Sequence, residues 1–264
     1  MILKKKPLFL FFFIFTLFFF SSCQKAQKNK ENYYSEAIGK KGSELKTALH
    51  EIIREHQKLP YSKIWDALCE TDADPDLSGN VILVYSGWSV SKKWEARGKA
   101  SGNNSYWNRE HIWPKNRGKF ETSPGIGTDL HNLKPEDKTV NAKRGNLDFD
   151  EGGEIYKDPD GETENRFDED SWEPRKEVRG DIARILFYMA VRYESEDSRN
   201  LELTETVNKS GGTPFIGKLS TLLKWHEEDP VDGFEKKRNE KIYQIQGNRN
   251  PFIDHPEWVK EIWK

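Results

Sequence analysis

The sequence opens with an apolar run that cannot belong to a folded core, and this limits how much of the chain builds a globular domain. Lysines at positions 4–6 precede an apolar stretch over residues 8–20, broken only by Thr16, and the small residues Ser21 and Ser22 follow it. A positive start, a short apolar stretch and small residues before a cleavage point are typical of a secretory signal. The stretch is too short to span a bilayer comfortably. We therefore expect residues 1–22 to be removed.

The residue after this signal is Cys23. The arrangement resembles a bacterial lipoprotein signal, which is cleaved before a cysteine that becomes lipidated. Residues 24–32 are polar and lack core-forming side chains, as expected for a tether. We therefore expect residues 23–32 to anchor a domain over 33–264 to a membrane, on the periplasmic or outer surface of a bacterial cell. Plain secretion is the alternative.

Composition after the signal indicates one ordinary globular domain. Removing three lysines and no acid changes the formal charge from −2 to −5 and leaves roughly 32% apolar residues, enough for one compact core. Two cysteines exclude a disulfide scaffold, and the balance of charges excludes a histone-like protein. A polytopic membrane protein is excluded because no other long apolar run is present. We interpret Cys69, the one thiol left in the domain, as structural.

Hydrophobic spacing and turn residues predict an α+β fold that is mostly helical and built around a hairpin-plus-helix unit near the middle of the chain. The strongest helix runs from Pro174 to Tyr193, where apolar residues recur at helical spacing. The other predicted elements are a helix over 43–53, a strand over 80–87, strands over 106–114 and 129–133, a helix from Pro135 to about Arg144, and helices near 219–223, 234–245 and 256 onward.

The central unit contains the densest chemistry: NREH at 108–111, DLHN at 129–132 and VNAKRGN at 140–146. The ordinary pKa of a histidine such as His111 suits proton transfer near neutral pH. Carboxylate and amide oxygens suit Mg²⁺, which often bridges to a substrate phosphate. Phosphodiester cleavage needs a deprotonated water and a cation at the developing negative charge, and this set of residues agrees with both requirements.

One geometric difficulty concerns Glu110 and His111. Adjacent residues of a regular strand point to opposite faces. Either the strand ends or bulges there, or only one of the two side chains faces the site. The nearby Pro114 favours an ending.

The strings NREHIWPKNRG and GTDLHNLKPEDKTVNAKRGN resemble the bacterial endonuclease I family of secreted nucleases, as do residues 179–193, 229–239 and 242–258. The resemblance implies a ββα-metal (His-Me finger) site. By position it implies His111 as the general base and Glu110 and Asn141 as protein ligands of one Mg²⁺, with Mn²⁺ or Ca²⁺ as substitutes. Water and the scissile phosphate would fill the remaining metal positions.

The resemblance also implies an arginine that neutralises the phosphate in the transition state. Arg117 is the first choice, with Arg109 and Arg144 behind it. We expect Arg109, Lys115 and Arg144 to contact nucleic acid. His131 is expected to hydrogen-bond within the unit rather than to ligate the metal.

Charge is unevenly distributed along the chain. Residues 108–119 carry a net charge of +3 and residues 134–144 carry +2, whereas residues 148–170 carry −9. Phosphate contacts need positive surfaces. The acidic segment should therefore loop away from the nucleic-acid channel or be neutralised. We interpret Asp158, Asp160 and Gly161 as part of a solvated acidic loop, because the spacing of an EF-hand is absent.

The sequence therefore predicts an exported Mg²⁺-dependent endonuclease of weak sequence specificity, acting on DNA and secondarily on RNA. The 5′-phosphate polarity of its products is taken from the family resemblance. We expect a monomer with no protein partner. The alternative is a surface lipoprotein that binds polysaccharide or nucleic acid without catalysis, with Trp107 and Trp113 beside the site as candidates for base stacking.

Overall fold

The computed structural model describes residues 32–97, 106–195, 200–208 and 212–264. The predicted signal and Cys23 lie outside these residues, as does all of the tether except residue 32. The chain divides into two compact units, residues 1–40 and 41–264. The described part of the first unit contains a 3-10 helix, Ser35–Ala37. Every element described below belongs to the second unit.

The helices of the second unit follow the predicted pattern of apolar spacing. In α5, Ile182, Leu186 and Met189 are completely buried, in agreement with the predicted core helix. This helix begins later than predicted, at Arg179, after a 3-10 turn at Lys176–Val178. The helices are α1 Gly42–Ile53, α2 Ile64–Thr71, α3 Lys115–Gly118, α4 Lys138–Arg144, α5 Arg179–Arg192, α6 Leu219–Glu228, α7 Gly233–Gln246, α8 Pro251–Asp254 and α9 Trp258–Trp263.

The strands form four small sheets among the described residues. β1 pairs antiparallel with β2, β3 pairs antiparallel with β4, β9 pairs parallel with β10, and a four-stranded sheet has the order β5-β8-β7-β6. The predicted strand at 80–87 is shorter than expected, because only its first three residues pair. The strands are β1 Asn80–Ile82, β2 Ser89–Ser91, β3 Trp107–His111, β4 Leu133–Asp137, β5 Asp148–Phe149, β6 Glu154–Asp158, β7 Gly161–Phe167, β8 Ser171–Glu173, β9 Glu202–Leu203 and β10 Phe215–Ile216.

The predicted hairpin-plus-helix unit is present as β3, β4 and α4, with different boundaries. Residues 129–132 form a turn rather than a strand, in which the backbone N–H of Asn132 donates to the carbonyl of Asp129 at 3.0 Å. Pro135 lies inside β4 instead of opening a helix. The helix begins after Asp137, whose carboxylate caps it by accepting from the N–H of Thr139 at 2.7 Å.

The acidic segment is a folded hairpin, which corrects its interpretation as a loop. β6 and β7 pair antiparallel and join the four-stranded sheet. The hairpin packs along one side of α4: Thr139 Oγ1 donates to Asp158 Oδ2 at 2.6 Å, and Lys143 Nζ lies 3.4 Å from the ring centroid of Phe167. Asp158 and Asp160 belong to the tight connection between the two strands.

The core beside the central unit includes Trp107, whose side chain is only 1% exposed. Trp113 is completely buried as well. Neither tryptophan is available to stack on a base, so the structure contradicts the role considered for them. Burial raises the pKa of the half-buried Cys69 thiol to about 11, in keeping with a structural role. None of the helices among the described residues has both the length and the apolar run required to cross a membrane.

Candidate active site

A cleft of about 430 Å³ opens where β3 ends and α4 passes beside it. It is lined by five of the residues predicted for the site: Arg109, Glu110, His111, Lys115 and Asn141. The structure therefore brings the strand, the start of α3 and the C-terminal half of α4 together around one opening.

The end of β3 resolves the geometric difficulty noted above. Asn108 and Glu110 alternate with Arg109 and His111 along the strand. The Asn108 face is turned toward α4, and the Arg109 face is turned toward Tyr61. Because β3 stops at His111, the cleft lies across the strand end and is lined from both faces.

The His111 ring is held in one orientation. Its Nε2 atom lies 3.0 Å from the carbonyl oxygen of Gly127, which only accepts, so the proton sits on Nε2 and Nδ1 is left as the acceptor. The ring lies between Tyr61 and Phe120, with centroids at 6.2 and 5.9 Å. Burial lowers the pKa of His111 to about 4, and the positive charge of Lys115 acts in the same direction. The neutral ring can accept a proton at neutral pH.

The Glu110 carboxylate is almost completely buried, and the hydrogen bonds that two buried side chains donate to it end on the same oxygen. Tyr85 Oη and Arg144 Nη1 both donate to Oε1 at 2.9 Å. Burial raises the pKa of Glu110. The backbone N–H of His111 is a further donor to this carboxylate. Neither of the two side chains donates to Oε2, which could bind a cation.

Asn141 is oriented by a residue that the sequence analysis did not single out. Its Nδ2 donates to Asn108 Oδ1 at 2.6 Å, which leaves the Asn141 amide oxygen as the ligand atom. Asn108 also lines the cleft. The sequence did contain a signal for this role: Asn108 lies two residues before Glu110, and residues two apart in a strand share a face.

Arg117 does not line the cleft, which corrects its assignment to the transition state. It is completely buried and forms an ion pair with Asp148 at 3.1 Å. It also donates to the backbone carbonyls of Asn146, Asn208 and Phe215 at 2.7, 2.8 and 3.2 Å. These contacts join α3 to β5 and β10.

Arg144 is also completely buried, which corrects its assignment as a nucleic-acid contact. Besides Glu110, it donates to the backbone carbonyls of His111 and Ile112 at 3.1 and 2.7 Å. Arg144 therefore fixes the end of β3 from behind the cleft.

Arg109 and Lys115 are the two predicted cations that line the cleft. Both are half-buried. Arg109 Nη1 donates to the carbonyl of Tyr61 at 2.7 Å, and its guanidinium carbon lies 3.4 and 4.2 Å from the ring centroids of Tyr61 and Trp65. These contacts hold Arg109 in a defined position.

Residues 41–257 match the family model of Endonuclease I, which includes every residue of the cleft. The chain belongs to the Endonuclease I family. It is 55% identical to an extracellular ribonuclease of Bacillus amyloliquefaciens and 53% identical to an extracellular ribonuclease of Bacillus subtilis (strain 168). Each match spans 235 residues, 88% of this chain and 78% of the relative. An extracellular deoxyribonuclease of Aeromonas hydrophila is 32% identical over 143 residues, 53% of this chain and 55% of that protein.

In this Endonuclease I chain, the residues present fit a hard divalent cation. Glu110 Oε2 and the Asn141 amide oxygen are both oxygen ligands, of the kind that Mg²⁺ prefers. A buried carboxylate whose pKa is raised also gains stability from a cation beside it. These two side chains would hold the ion.

A second acidic group lies outside the cleft. Single oxygens of Asp137, Asp158 and Asp160 lie within 4.8 Å of one another. Hydrogen bonds account for this proximity: Thr139 Oγ1 lies within hydrogen-bond distance of both Asp137 and Asp158, at 2.5 and 2.6 Å, and the backbone N–H of Asp160 donates to Asp158 at 2.9 Å. The group is part of the helix cap and the hairpin turn.

His131 lies outside the cleft. Its Nε2 is 3.3 Å from the carbonyl oxygen of Asn248, and its ring centroid is 4.4 Å from that of Tyr188. His131 therefore contacts α5 and the segment that follows α7, and it does not reach the cleft.

Proposed function

We propose that this chain is an exported, metal-dependent endonuclease that hydrolyses phosphodiester bonds in RNA and DNA with weak sequence specificity. The observation that carries this proposal is the cleft that a neutral, oriented His111 lines together with Glu110 and Asn141, which both offer oxygen ligands. We propose RNA as the preferred substrate because the relatives at 55% and 53% identity are named ribonucleases. DNA is proposed as a second substrate because a more distant relative is named a deoxyribonuclease.

His111 Nδ1 takes the proton of the attacking water, and the Gly127 carbonyl stabilises the positive charge that forms on the ring. The water oxygen bonds to phosphorus as the bond to the 3′-oxygen breaks, and that oxygen leaves with a proton from solvent. The products are a 5′-phosphate and a 3′-hydroxyl. Mg²⁺ held by Glu110 and Asn141 would supply positive charge at the phosphate and the leaving oxygen. Arg109 and Lys115 bind the phosphates that enter the cleft.

The same proposal includes export and lipidation at Cys23. The signal pattern of residues 1–22, followed by Cys23, supports both, and the relatives named extracellular support export. In a bacterial host, the full chain should fractionate with membranes, and Cys23→Ala should release the activity into the soluble fraction. Release of the unaltered chain would reject the anchor while leaving the nuclease intact.

The test of the enzyme uses purified residues 24–264 with supercoiled plasmid and with single-stranded RNA. Cleavage should require Mg²⁺ and stop with EDTA. His111→Ala should lower kcat by about 10²–10⁴-fold, because the general base is removed. His255→Ala, in a contact with Trp258 away from the cleft, is the matched control and should keep its activity.

Added imidazole should restore part of the lost rate to His111→Ala, since it replaces the missing base. Undiminished cleavage by His111→Ala would reject the mechanism. A protein that binds without catalysis would instead bind independently of metal and be unaffected by Asn141→Ala. Trp107 and Trp113 are buried, so neither can serve that alternative as a stacking surface.

A further inference from the structure

The loop that connects β3 to β4 lines a second cavity. This cavity of about 270 Å³ is lined by Lys58, Lys119, Phe120, Gly125 and Arg192, among others. Phe120 links it to the catalytic cleft, because the Phe120 ring lies 5.9 Å from the ring of His111. One aromatic side chain therefore lines the cavity and lies next to a residue of the cleft.

The described lining of this cavity is strongly positive. Lys58 and Lys119 are exposed, and Arg192 is 98% buried. Nε and Nη2 of Arg192 lie 3.3 and 3.0 Å from His56 Nδ1. Burial lowers the pKa of His56, which keeps that ring neutral at neutral pH. Three cations therefore face the cavity, and Glu121 is the single acidic residue in its described lining.

The loop that forms the wall is closely packed. A Cβ atom at Gly127 would lie 2.0 Å from the carbonyl oxygen of Glu121, so the chain folds back on itself with no room for a side chain. The Gly125 N–H donates to Thr128 Oγ1 at 3.0 Å. The same segment therefore holds the Gly127 carbonyl against His111 on one side and shapes the cavity on the other.

We propose that this cavity is a second phosphate site, used by a phosphate close to the scissile one. The inference rests on the proposed nuclease function and extends it to a site that the resemblance does not supply. A buried guanidinium with two lysine ammonium groups is a set of donors suited to a phosphate. The group bound is either a backbone phosphate of the substrate strand or the terminal phosphate of a product.

The test compares Lys58→Gln/Lys119→Asn with Lys236→Gln/Lys237→Gln, a control that removes the same charge from exposed lysines of α7. Asparagine is chosen at position 119 because the residue there has a left-handed backbone with φ of 49°. Substrates are a dinucleotide with one phosphodiester bond and a longer single-stranded oligonucleotide. Unchanged dinucleotide kinetics show that the cleft of each variant is intact.

If the substrate strand occupies the cavity, KM for the longer oligonucleotide should rise about tenfold in the cavity variant, with kcat unchanged. The slope of log KM against log salt should fall by about 0.7, since the contact with one phosphate of the strand is lost. If the product phosphate occupies it, inhibition by a 5′-phosphorylated nucleotide should weaken about tenfold while KM stays constant. Either result supports the phosphate site and shows whether a phosphate of the substrate strand or of the product occupies it.

A binding measurement tests the cavity independently of the proposed nuclease activity, because it requires no cleavage. The cavity variant and the lysine control are each combined with His111→Ala, and binding of the longer oligonucleotide and of a 5′-phosphorylated nucleotide is measured. Loss of binding relative to the lysine control supports the cavity even if the unaltered protein cleaves nothing. Equal behaviour of the two double variants in binding, KM and product inhibition would overturn the proposal.

Discussion

At the scale of single residues, the Glu110 carboxylate depends on two donors that never reach the cleft. Tyr85 and Arg144 are completely buried, and both donate to Oε1. They fix the rotation of the carboxylate, and with it the position of Oε2, the oxygen that would bind the proposed metal ion. Such outer partners of a metal ligand contribute to metal affinity without touching the metal.

We predict that Tyr85→Phe raises the Mg²⁺ concentration needed for half-maximal activity by about tenfold, because one of the two bonds that orient Glu110 is lost. Activity titrated against Mg²⁺ measures this, and activity at saturating Mg²⁺ should largely return. Tyr156→Phe, which loses a hydroxyl bond of 2.8 Å to Asp158 in the hairpin, is the control. An equal shift in both variants would show a general loss of packing rather than positioning of Glu110.

His131 shows how burial of one ring affects stability at low pH. Burial lowers its pKa from 6.5 to about 4 in the folded chain. As the pH falls, the unfolded chain therefore takes up the proton first, and folding stability is lost between pH 6.5 and about 4. Above pH 6.5 the ring is neutral in both states, and the stabilisation is fully present.

We predict that the free energy of unfolding falls by about 2 kcal/mol for this one residue when the pH is lowered from 7.5 to 5. His131→Gln should reduce the pH dependence by that amount, whatever its stability at pH 7.5. Denaturant unfolding at the two pH values provides the comparison. Identical pH dependence in the two proteins would contradict a buried neutral His131.

At the scale of elements, the sequence identified the central unit but misplaced its boundaries at Pro135. A proline often begins a helix because it lacks an N–H that would be unsatisfied there. The same property is tolerated in β4, which pairs only with β3 among the described strands. The carbonyl of Pro135 accepts from the N–H of Val84 at 3.0 Å. The sequence signal for the true start of the helix was Asp137, a typical cap residue that is followed by Lys-Thr-Val.

The β6–β7 hairpin could not be found from apolar alternation, because its buried positions are polar. Thr163 and Asn165 alternate with the exposed Glu162 and Glu164 along β7. Asn165 Nδ2 donates to the carbonyl of Tyr85 at 3.0 Å, so hydrogen bonding replaces an apolar contact. Such partners are distant in sequence, and local patterns do not reveal them.

The candidate site was predictable to the extent that its residues lie in continuous strings. Glu110, His111 and Asn141 line one cleft as the resemblance implied. The roles of the arginines were not predictable in this way. Arg117 is buried by Asp148, Asn208 and Phe215, which lie far along the chain. Its function therefore depends on tertiary contacts that the motif does not contain.

We predict that Arg117→Met lowers the free energy of unfolding by about 3–5 kcal/mol, because it leaves the Asp148 carboxylate buried without its charged partner. Denaturant unfolding measures the loss. At a temperature where the variant remains folded, its kcat should stay within a few-fold of the unaltered protein. If the variant had normal stability and a kcat reduced by orders of magnitude, Arg117 would take part in the catalytic step after all.

At the scale of the whole molecule, α4 separates two surfaces of opposite charge. Asn141 and Gly145 line the cleft on one side, whereas Thr139 and Lys143 contact the acidic hairpin on the other. The net charge of the chain hides this separation. Exposed carboxylates on the hairpin side disfavour phosphate there, which agrees with the proposed binding of nucleic acid on the cleft side.

We predict that Glu162→Lys/Glu164→Lys creates a second, unproductive nucleic-acid surface. Equilibrium binding of an oligonucleotide, measured without metal, should tighten several-fold at low salt, because two exposed carboxylates become cations. The value of kcat/KM should not rise with it, since strands held behind α4 do not reach His111. Both differences should disappear near 1 M salt, where charges are screened within about 3 Å. A rise in kcat/KM equal to the gain in binding would instead place the hairpin along the productive path of the substrate.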